Sequence, residues 1–366
     1  MGEPHGIGVV GLGVISRQYL TTLAGVRDVR IVAVADLDRD RAEATASELG
    51  AAPLTVQQLV ADPRVETVLN LTIPAAHAEI ALAAIRHGKD VYGEKPLAAT
   101  LAEARSIMAA ADEAGTRVGS APDTVLGTGI QTARAAVDSG RIGRPVSATA
   151  TWVSPGHERW HPAPDFYYRS GGGPLLDMGP YYVSTLLQLL GPVAAVSGVS
   201  SRARTERVIG SGPRAGERIP VEVDTHVMGL LEHASGALSS ITMSFDAVHT
   251  TAAPIEIHGE LGSLALPDPN NFDGDSRLWT GAGDEFETLA VSAGFVDAGR
   301  GVGLLDFIRS APGAARASGA IGLHALEIMD AILGAAEDGA RREIVSTMER
   351  PSLVALTPAA VWRAGR

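Results

Sequence analysis

The sequence predicts two domains of different class: an α/β domain with a doubly wound parallel sheet, then an α+β domain with a largely antiparallel, open sheet. The length of 366 residues corresponds to about two domains at roughly 150 residues each. Short β-branched runs alternate with alanine-rich helical stretches over residues 7–119, as in βαβ units. After about residue 123, longer alternating runs are separated by turns rich in Pro and Gly, which is typical of a sheet with one open face. We therefore expect domains at residues 1–122 and 123–366.

The first domain is expected to contain strands joined by helices. The predicted strands are residues 7–10, 30–35, 67–73, 90–93 and 117–119. The predicted helices are residues 16–23, 39–49, 75–86 and 101–114. Gly50, Gly88 and Gly115 follow three of these helices, where glycine commonly caps a helix C-terminus.

The second domain begins with a predicted helix at residues 129–138. Its predicted strands are residues 146–153, 223–231, 237–245, 255–258 and 263–266. A closing helix is expected at residues 324–336. The longest uncharged run, residues 178–201, is interrupted by Gly-Pro pairs and therefore predicts a helix, a turn and a strand rather than a membrane span.

The composition excludes several classes of protein. Lys and Arg number 30 against 42 Asp and Glu, and this net charge of -12 disfavours nucleic acid or an anionic membrane as a partner, because both attract clustered cations. The absence of cysteine excludes disulfides, a thiolate nucleophile and Cys-ligated zinc. The N-terminal residues show no basic segment followed by a long apolar run, and we expect a cytoplasmic protein.

A glycine-rich turn follows the first predicted strand, in the segment Gly11-Leu12-Gly13-Val14-Ile15. Gly11 and Gly13 allow a tight turn and let a pyrophosphate reach the N-terminus of the next helix, where unpaired N–H groups favour an anion. Ser16 replaces the third glycine of the fingerprint. We interpret the first domain as a Rossmann domain in which this turn binds a dinucleotide.

Asp36 ends the second predicted strand, 23 residues after Gly13. This is close to the spacing of roughly 20 residues expected for the acid that hydrogen-bonds the ribose diol. Because a carboxylate repels a 2′-phosphate, the sequence favours NAD, while the neighbouring Arg39 and Arg41 leave NADP open. The alternative is an ordinary turn in which Asp36 caps the next helix.

Further cofactor candidates follow the next two strands at the carboxyl edge of the sheet, where ligands bind in doubly wound folds. Thr72, Pro74 and His77 follow one strand, and Glu94 and Lys95 follow the other. His77 is expected either to contact the cofactor or to be a partly buried histidine at a helix N-terminus.

Two motifs, Glu94-Lys95-Pro96 after a predicted strand and a glycine triplet followed by Asp177-Met178-Gly179-Pro180-Tyr181, together resemble those of the GFO/IDH/MocA family, which includes glucose-fructose oxidoreductase and inositol dehydrogenase. Glu94-Lys95-Pro96 is similar to the Glu-Lys-Pro motif that follows a Rossmann strand in the family. Gly171-Gly172-Gly173 is followed by Asp177-Met178-Gly179-Pro180-Tyr181, which resembles the family's Asp-x-Gly-x-His. The resemblance covers essentially the whole chain, but Tyr181 stands in place of the motif His and Ser184 in place of a frequent second Asp.

The resemblance implies hydride transfer between a secondary alcohol of a sugar, polyol or glycoside and NAD, or NADP. In this reading Lys95 polarises the reacting oxygen, and Asp177 or Tyr181 handles the proton. Asp177 and Tyr181 lie four residues apart, so a helix places them on one face. The resemblance also implies a homodimer or homotetramer.

An aromatic segment precedes and includes this motif. Although only 4% of the chain is aromatic, seven aromatic residues lie within residues 152–182. Their mixture with charged residues suits a sugar, which stacks on rings and hydrogen-bonds to polar groups. The predicted substrate-binding residues are Trp160, His161, Tyr168, Lys95, Asp177 and Tyr181. The alternative is an aromatic loop that packs at a subunit contact.

Two other patterns have simpler explanations. His157-Glu158-Arg159-Trp160-His161 matches the zinc-peptidase signature H-E-x-x-H, but the prolines around it disfavour the helix that this site requires, and we expect no metal. The arginine-rich residues 201–220 are expected to form a solvated hairpin rather than a phosphate site.

Two further functions compete with the dehydrogenase or reductase. One is a redox-neutral glycosidase or lyase that keeps NAD bound and oxidises its sugar transiently. The other is a sensor of nucleotide or sugar without catalysis, which the combination of Lys95, Asp177 and Tyr181 disfavours.

Overall fold

The computed structural model describes residues 3–281 and 285–365. The chain divides into two compact units. The first unit contains the chain up to Thr128 together with Ser292–Leu323 and the residues from Pro351 onward. The second unit contains Gly129–Val291 and His324–Arg350. The expected start of the second domain is therefore close to the observed one, but the expectation that all later residues belong to that domain is wrong.

The first unit is built on a parallel sheet with strand order β3-β2-β1-β4-β5-β6. Its strands are β1 His5–Val10, β2 Val29–Ala35, β3 Ala52–Pro53, β4 Thr67–Asn70, β5 Asp90–Gly93 and β6 Val118–Ser120. Its helices before residue 128 are α1 Ser16–Leu23, α2 Arg39–Leu49, α3 Val56–Ala61, α4 Pro74–Arg86 and α5 Leu101–Ala114. This confirms the predicted doubly wound α/β fold, whose strand order reverses between β1 and β4.

The helix ends follow local sequence signals. Thr100 forms a capping box with Glu103 at the start of α5. Gly50 and Gly115 end α2 and α5 with φ of 64° and 67°, the left-handed conformation that glycine adopts without strain. Strand β4 ends at Asn70, three residues before the predicted end, because the Asn70 side chain accepts hydrogen bonds from Thr72 and turns the chain away from the sheet.

The second unit contains a sheet with strand order β16-β15-β14-β13-β7-β12-β11-β8-β17. Helices α6 Thr128–Asp138 and α7 Pro174–Leu190 pack in this unit, together with most of α9 Gly319–Asp338. The strands are β7 Pro145–Val153, β8 Val193–Ser201, β11 His226–His233, β12 Leu238–Ser244, β13 Ile255–Gly259, β14 Ser263–Leu266, β15 Arg277–Trp279, β16 Glu287–Thr288 and β17 Arg342–Glu343. Neighbouring strands pair antiparallel except β7 and β12, which are parallel, so the predicted largely antiparallel sheet is confirmed.

A short ribbon lies outside this sheet and is formed by β9 Glu206–Val208 and β10 Arg218–Pro220. Helix α7 packs against β12, β11 and β7. It continues through Pro180, although proline interrupts the hydrogen bonds of a helix interior. The uninterrupted helix keeps Asp177 and Tyr181 one turn apart, as predicted.

The C-terminal part of the chain returns to the first unit. The returning segments contain α8 Val302–Arg309 and α10 Ala359–Ala364. Between them, α9 Gly319–Asp338 begins in the first unit, and its residues from His324 on, the predicted closing helix, belong to the second unit. Asp123 Oδ2 accepts hydrogen bonds from the backbone N–H groups of Gly301 and Gly303, at 2.7 and 3.0 Å. Arg309 forms an ion pair with Asp28, with Nη2 and Oδ1 2.7 Å apart.

Helix α9 is the one helix of the described residues that is long and apolar enough to cross a membrane by length and composition. Of its apolar window, 61% is buried inside the protein. A mostly buried helix in the core of a soluble protein meets the same criteria of length and composition.

Candidate active site

The glycine turn after β1 has the geometry that the fingerprint requires. Gly11 has a φ of 91°, and a Cβ there would lie 2.8 Å from the carbonyl carbon of Leu71. A Cβ at Gly13 would meet no atom within 4 Å among the described residues, so this part of the turn is open. Ser16, which replaces the third glycine, is buried and donates its hydroxyl hydrogen to the Gly13 carbonyl over 2.7 Å. The Ser16 side chain therefore stabilises the turn through a hydrogen bond to its backbone.

Asp36 is coupled to this turn rather than to the next helix. Its Oδ2 accepts a hydrogen bond from Leu12 N over 2.7 Å, and its Oδ1 accepts one from Asp38 N over 2.8 Å. The N-cap of α2 is Asp38, whose side chain accepts from Arg41 N. The alternative in which Asp36 caps α2 is therefore wrong. The Arg41 guanidinium lies 3.5 Å from Asp36 Oδ1 and 2.9 Å from Asp38 Oδ2.

These features fit a bound dinucleotide. The open backbone at Gly13 and the N-terminus of α1 can receive a pyrophosphate, and Val14 beside them is 90% exposed. The Asp36 carboxylate at the end of β2 can accept hydrogen bonds from a ribose diol. The turn that contains Gly11, Gly13, Val14 and Ile15 is joined to Asp36 through the Leu12 N–H, so the predicted cofactor residues of this turn lie together on the first unit.

The buried His77 side chain contacts the backbone of the loop after β4. This residue is only 2% exposed, and its Nε2 lies 3.1 Å from the Thr72 carbonyl oxygen, while Nδ1 lies 2.8 Å from the Pro96 carbonyl oxygen. Thr72 also donates its hydroxyl hydrogen to Asn70 Oδ1 over 2.7 Å. The His77 ring is thus buried at the start of α4 and connects two loops, while its contact with a cofactor stays a prediction.

Glu94 also points into the protein. It is 7% exposed, its Oε1 accepts a hydrogen bond from the Tyr19 hydroxyl over 2.8 Å, and its Oε2 accepts one from Lys95 N over 3.0 Å. Burial and the nearby Glu94 carboxylate raise the pKa of Tyr19 well above its usual value, so Tyr19 stays a donor. Glu94 therefore anchors the backbone of the half-buried Lys95, and its contact with a cofactor stays a prediction. The Lys95–Pro96 peptide bond is cis.

In the second unit, α7 carries both remaining motif residues. The Asp177 side chain is 19% exposed and Tyr181 is 5% exposed. Asp177 Oδ2 lies 2.9 Å from Nε2 of His157, a residue of the loop before α7. Sequence reasoning placed His157 in the zinc signature and among the polar residues of the aromatic segment, and did not pair it with Asp177. The predicted catalytic residues are divided between the units, with Lys95 in the first and Asp177 and Tyr181 in the second.

The aromatic segment differs in role along its length. Trp160 and Phe166 are 58% and 56% exposed, which suits stacking on a ligand. The His161 ring packs against both, with its Nδ1 accepting a hydrogen bond from Ala163 N over 3.1 Å. Burial lowers the pKa of His161. Tyr168, by contrast, is fully buried and donates its hydroxyl hydrogen to Glu158, so it is a core residue rather than a substrate contact.

The arginine-rich ribbon holds this segment in place. Arg207 is buried, and its guanidinium forms ion pairs with Glu158, at 3.0 Å, and with Asp246. Arg214 forms an ion pair with Asp165, with Nη1 and Oδ2 2.6 Å apart. The expectation of a wholly solvated hairpin is therefore wrong for Arg207, because two carboxylates neutralise its charge inside the unit.

The H-E-x-x-H segment forms a single 3-10 turn at His157–Arg159, which confirms that no sustained helix forms there. Within residues 3–281 and 285–365, no group of three His, Cys, Asp or Glu side chains could hold a metal ion.

Comparisons with known proteins agree with both halves of the fold. Residues 5–121 match the sequence model of the oxidoreductase family with an NAD-binding Rossmann fold. Residues 130–265 match the model of the GFO/IDH/MocA C-terminal domain.

Curated relatives span most of the chain. The 1,5-anhydro-D-fructose reductase of Ensifer adhaerens is 32% identical over 265 residues, which are 70% of this chain and 74% of the relative. The myo-inositol 2-dehydrogenase of Thermotoga maritima is 29% identical, with 70% and 74% covered.

Solved structures share the fold over nearly the whole length. An NAD-binding oxidoreductase from Klebsiella pneumoniae superimposes with a TM-score of 0.82 at 25% identity, covering 94% of this chain and 100% of that one. A levoglucosan dehydrogenase in complex with NADH and levoglucosan gives a TM-score of 0.77 at 21% identity, with the same shares covered.

Proposed function

The chain belongs to the GFO/IDH/MocA family of NAD-binding oxidoreductases, and from this membership we propose that it transfers a hydride between a secondary alcohol of a sugar, polyol or glycoside and the nicotinamide. The relatives are named for anhydrofructose, myo-inositol and levoglucosan, which are all polyhydroxylated rings. The observation that carries the proposal is the open glycine turn tied by Leu12 to Asp36, because it provides a place for pyrophosphate and for the ribose diol of NAD.

We propose the following roles at the reacting centre. Bound NAD supplies the acceptor for the hydride that leaves the alcohol carbon. The Lys95 ammonium donates a hydrogen bond to the alcohol oxygen and stabilises the negative charge that develops there. As the C–H bond breaks and the C=O bond forms, the hydroxyl proton passes to the Asp177 carboxylate, with Tyr181 as a relay one turn away. The reverse reaction returns the same proton and hydride to a carbonyl.

Substrate binding is proposed at the exposed rings of the second unit. Trp160 can stack on the apolar face of a sugar ring, and the adjacent His161 can hydrogen-bond to a hydroxyl. Asp177, whose side chain is partly exposed, would hydrogen-bond to the reacting hydroxyl itself.

The test is formation of NADH with a panel that contains myo-inositol, levoglucosan and glucose, and consumption of NADH with 1,5-anhydro-D-fructose. We expect turnover with at least one of them, and we expect Lys95→Ala to lower kcat/KM by about two to four orders of magnitude. Lys89→Ala is the matched control, because Lys89 is the only other lysine of the sequence and it contacts the Asp62 carbonyl oxygen. Unchanged turnover in Lys95→Ala would refute the assigned mechanism.

The same assay separates the competing functions. A redox-neutral glycosidase or lyase would convert a glycoside without net NADH and would retain its cofactor through purification. A sensor would bind NAD or sugar without any turnover.

The Arg41 guanidinium lies 3.5 Å from Asp36 Oδ1 and can attract a 2′-phosphate. We therefore propose NADP as a second cofactor that binds more weakly than NAD.

We also propose that the protein is a cytoplasmic homodimer or homotetramer. Exposed apolar side chains on the open sheet of the second unit support self-association, and they include Val199, Met228, Leu230 and Leu238. The absence of cysteine suits a reducing compartment.

A further inference from the structure

His157 and Asp177 form a hydrogen-bonded pair within the second unit. The His157 Nε2 and Asp177 Oδ2 atoms are 2.9 Å apart, and the side chains are 9% and 19% exposed. An ionised carboxylate can only accept hydrogen bonds, so the hydrogen in this bond belongs to Nε2 of the imidazole. His157 is therefore the donor.

The other ring nitrogen of His157 lies in an aromatic enclosure. Its Nδ1 is buried and has no hydrogen-bond partner within the described part of the chain. The ring centroids of Tyr167, Phe245 and Trp160 lie 4.4, 4.7 and 5.2 Å from that of His157. A hydrogen on Nδ1 would face these rings without an acceptor, which is costly in a buried site. The geometry thus favours the tautomer with hydrogen on Nε2 alone.

The backbone around His157 is fixed by its neighbour. Glu158 forms a buried ion pair with Arg207, and the Glu158 carbonyl oxygen accepts a hydrogen bond from Gly210 N over 2.7 Å. Arg207 is held in turn by Asp246. The imidazole is thereby held by packing against aromatic rings and by the anchored residue that follows it, which limits the directions in which Nε2 can point.

We propose that His157 is a positioning residue that directs the carboxylate of Asp177 toward the reacting hydroxyl. The inference rests on the proposed role of Asp177 as proton acceptor. The resembled motif places a histidine one helical turn after the aspartate, and this chain has Tyr181 there. Here the loop before α7 supplies the imidazole, and its Nε2 lies within hydrogen-bond distance of the Asp177 carboxylate.

Kinetics of three variants test the role. We expect His157→Leu to lower kcat about 10- to 100-fold with KM changed less than about threefold, because a misdirected acceptor slows the proton transfer more than binding. His157→Gln keeps an amide N–H at a similar reach and should restore kcat to within about fivefold of the wild type. His233→Leu is the control, because His233 is another buried histidine of this unit, bonded to Gly191 and Ser239, and its loss should leave kcat within about twofold.

Two kinetic outcomes would overturn the inference. One is a kcat of His157→Leu within about twofold of the wild type, and the other is a His157→Gln variant no more active than His157→Leu. If wild-type protein turns over no alcohol at all, the proposed function fails instead, so the two failures are distinguishable.

A second measurement does not depend on turnover. Nitrogen-15 NMR of histidine-labelled full-length protein reports which ring nitrogen carries the hydrogen, and the His157 signal is identified by its loss in His157→Gln. We expect the Nε2–H tautomer, and a changed signal in Asp177→Asn. An Nδ1–H tautomer in the wild type would contradict the pairing, including when His157→Leu fails to fold.

Discussion

At the scale of single residues, Asp36 has a structural role, and we propose a binding role for it as well. Its two oxygens accept hydrogen bonds from Leu12 N and Asp38 N, which join the glycine turn to the end of β2. The side chain is nevertheless 10% exposed, so the carboxylate remains accessible to a ligand. The carboxylate at this place orders the turn, and in the proposed site its negative charge would repel a 2′-phosphate.

Replacing Asp36 with Asn removes the charge and keeps one oxygen to accept the hydrogen bond from Leu12 N, while the amide NH2 in place of Oδ1 no longer accepts from Asp38 N. We expect Asp36→Asn to weaken NAD binding about tenfold and to narrow the preference for NAD over NADP, since repulsion of the 2′-phosphate disappears. Calorimetric titration of each nucleotide measures both effects. The exposed Asp40 in the first turn of α2 provides the control Asp40→Asn, and equal shifts in the two variants would contradict the role of Asp36.

Single residues also show where sequence reasoning ends. Asp36 was predictable because its spacing from the glycine turn is set locally by one βα unit. His157 was not, because its contact with Asp177 depends on a 20-residue loop folding back on α7. Tyr168 shared the composition of a binding loop, but only the buried Glu158 and Arg207 show that it faces the core.

At the scale of elements, the loops at the carboxyl edge of the first sheet are tied to each other and to the returning C-terminal segment. His77 on α4 bridges the loop after β4 and the turn after β5. Asp123, after β6, binds the backbone at the start of α8 through Gly301 and Gly303. Such contacts were outside sequence prediction, since α8 lies far along the chain from the strands it packs beside.

Asp123 makes this anchor sensitive to pH. Burial raises the pKa of Asp123 from 3.8 to about 6. The positive charge of Arg300 opposes this rise, and the negative charge of Glu94 adds to it. A raised folded-state pKa means that the folded protein holds the proton more tightly, so this contribution to the unfolding free energy falls as pH rises from about 4 to about 6 and is constant above that. The shift corresponds to about 3 kcal/mol.

The variant Asp123→Asn keeps the acceptor for Gly301 and Gly303 and removes the titration. We expect the stability of the wild type relative to Asp123→Asn to decline by up to about 3 kcal/mol between pH 4 and pH 7. Urea unfolding at both pH values measures this difference. The exposed Asp112→Asn on α5 should follow the wild type, and an Asp123→Asn curve parallel to the wild type would contradict the account.

At the scale of the whole molecule, the two units differ in how far the sequence could define them. The alternation of strands and helices up to residue 119 predicted the parallel sheet, because each βα unit closes locally. The second sheet was predicted in class but not in order, since β7 pairs with β12 and β13 across long connections. Ser292–Leu323 was assigned to the wrong unit for the same reason.

We predict that the protein self-associates through exposed apolar side chains on the open face of the second sheet. Met228 and Val199 pair in register, and Leu230 lies two residues along on the same face, with exposures of 45%, 64% and 63%. We expect Leu230→Glu to reduce the mass measured by light scattering, because a charge would be buried in the subunit contact. Val208→Glu on the separate ribbon is the control. A monomeric wild type at micromolar concentration would contradict the proposal.

The central claim is hydride transfer from a polyhydroxylated alcohol to NAD, and isotope transfer tests it most directly. The protein is mixed with NAD and, in turn, carbon-deuterated myo-inositol, levoglucosan and glucose, and the mass of the released nicotinamide cofactor is measured. We expect one deuterium per reduced cofactor for at least one substrate. The Lys95→Ala variant should transfer no measurable deuterium, whereas Lys89→Ala should transfer it as the wild type does. Bound NAD that gains no deuterium from any of the three would contradict the account.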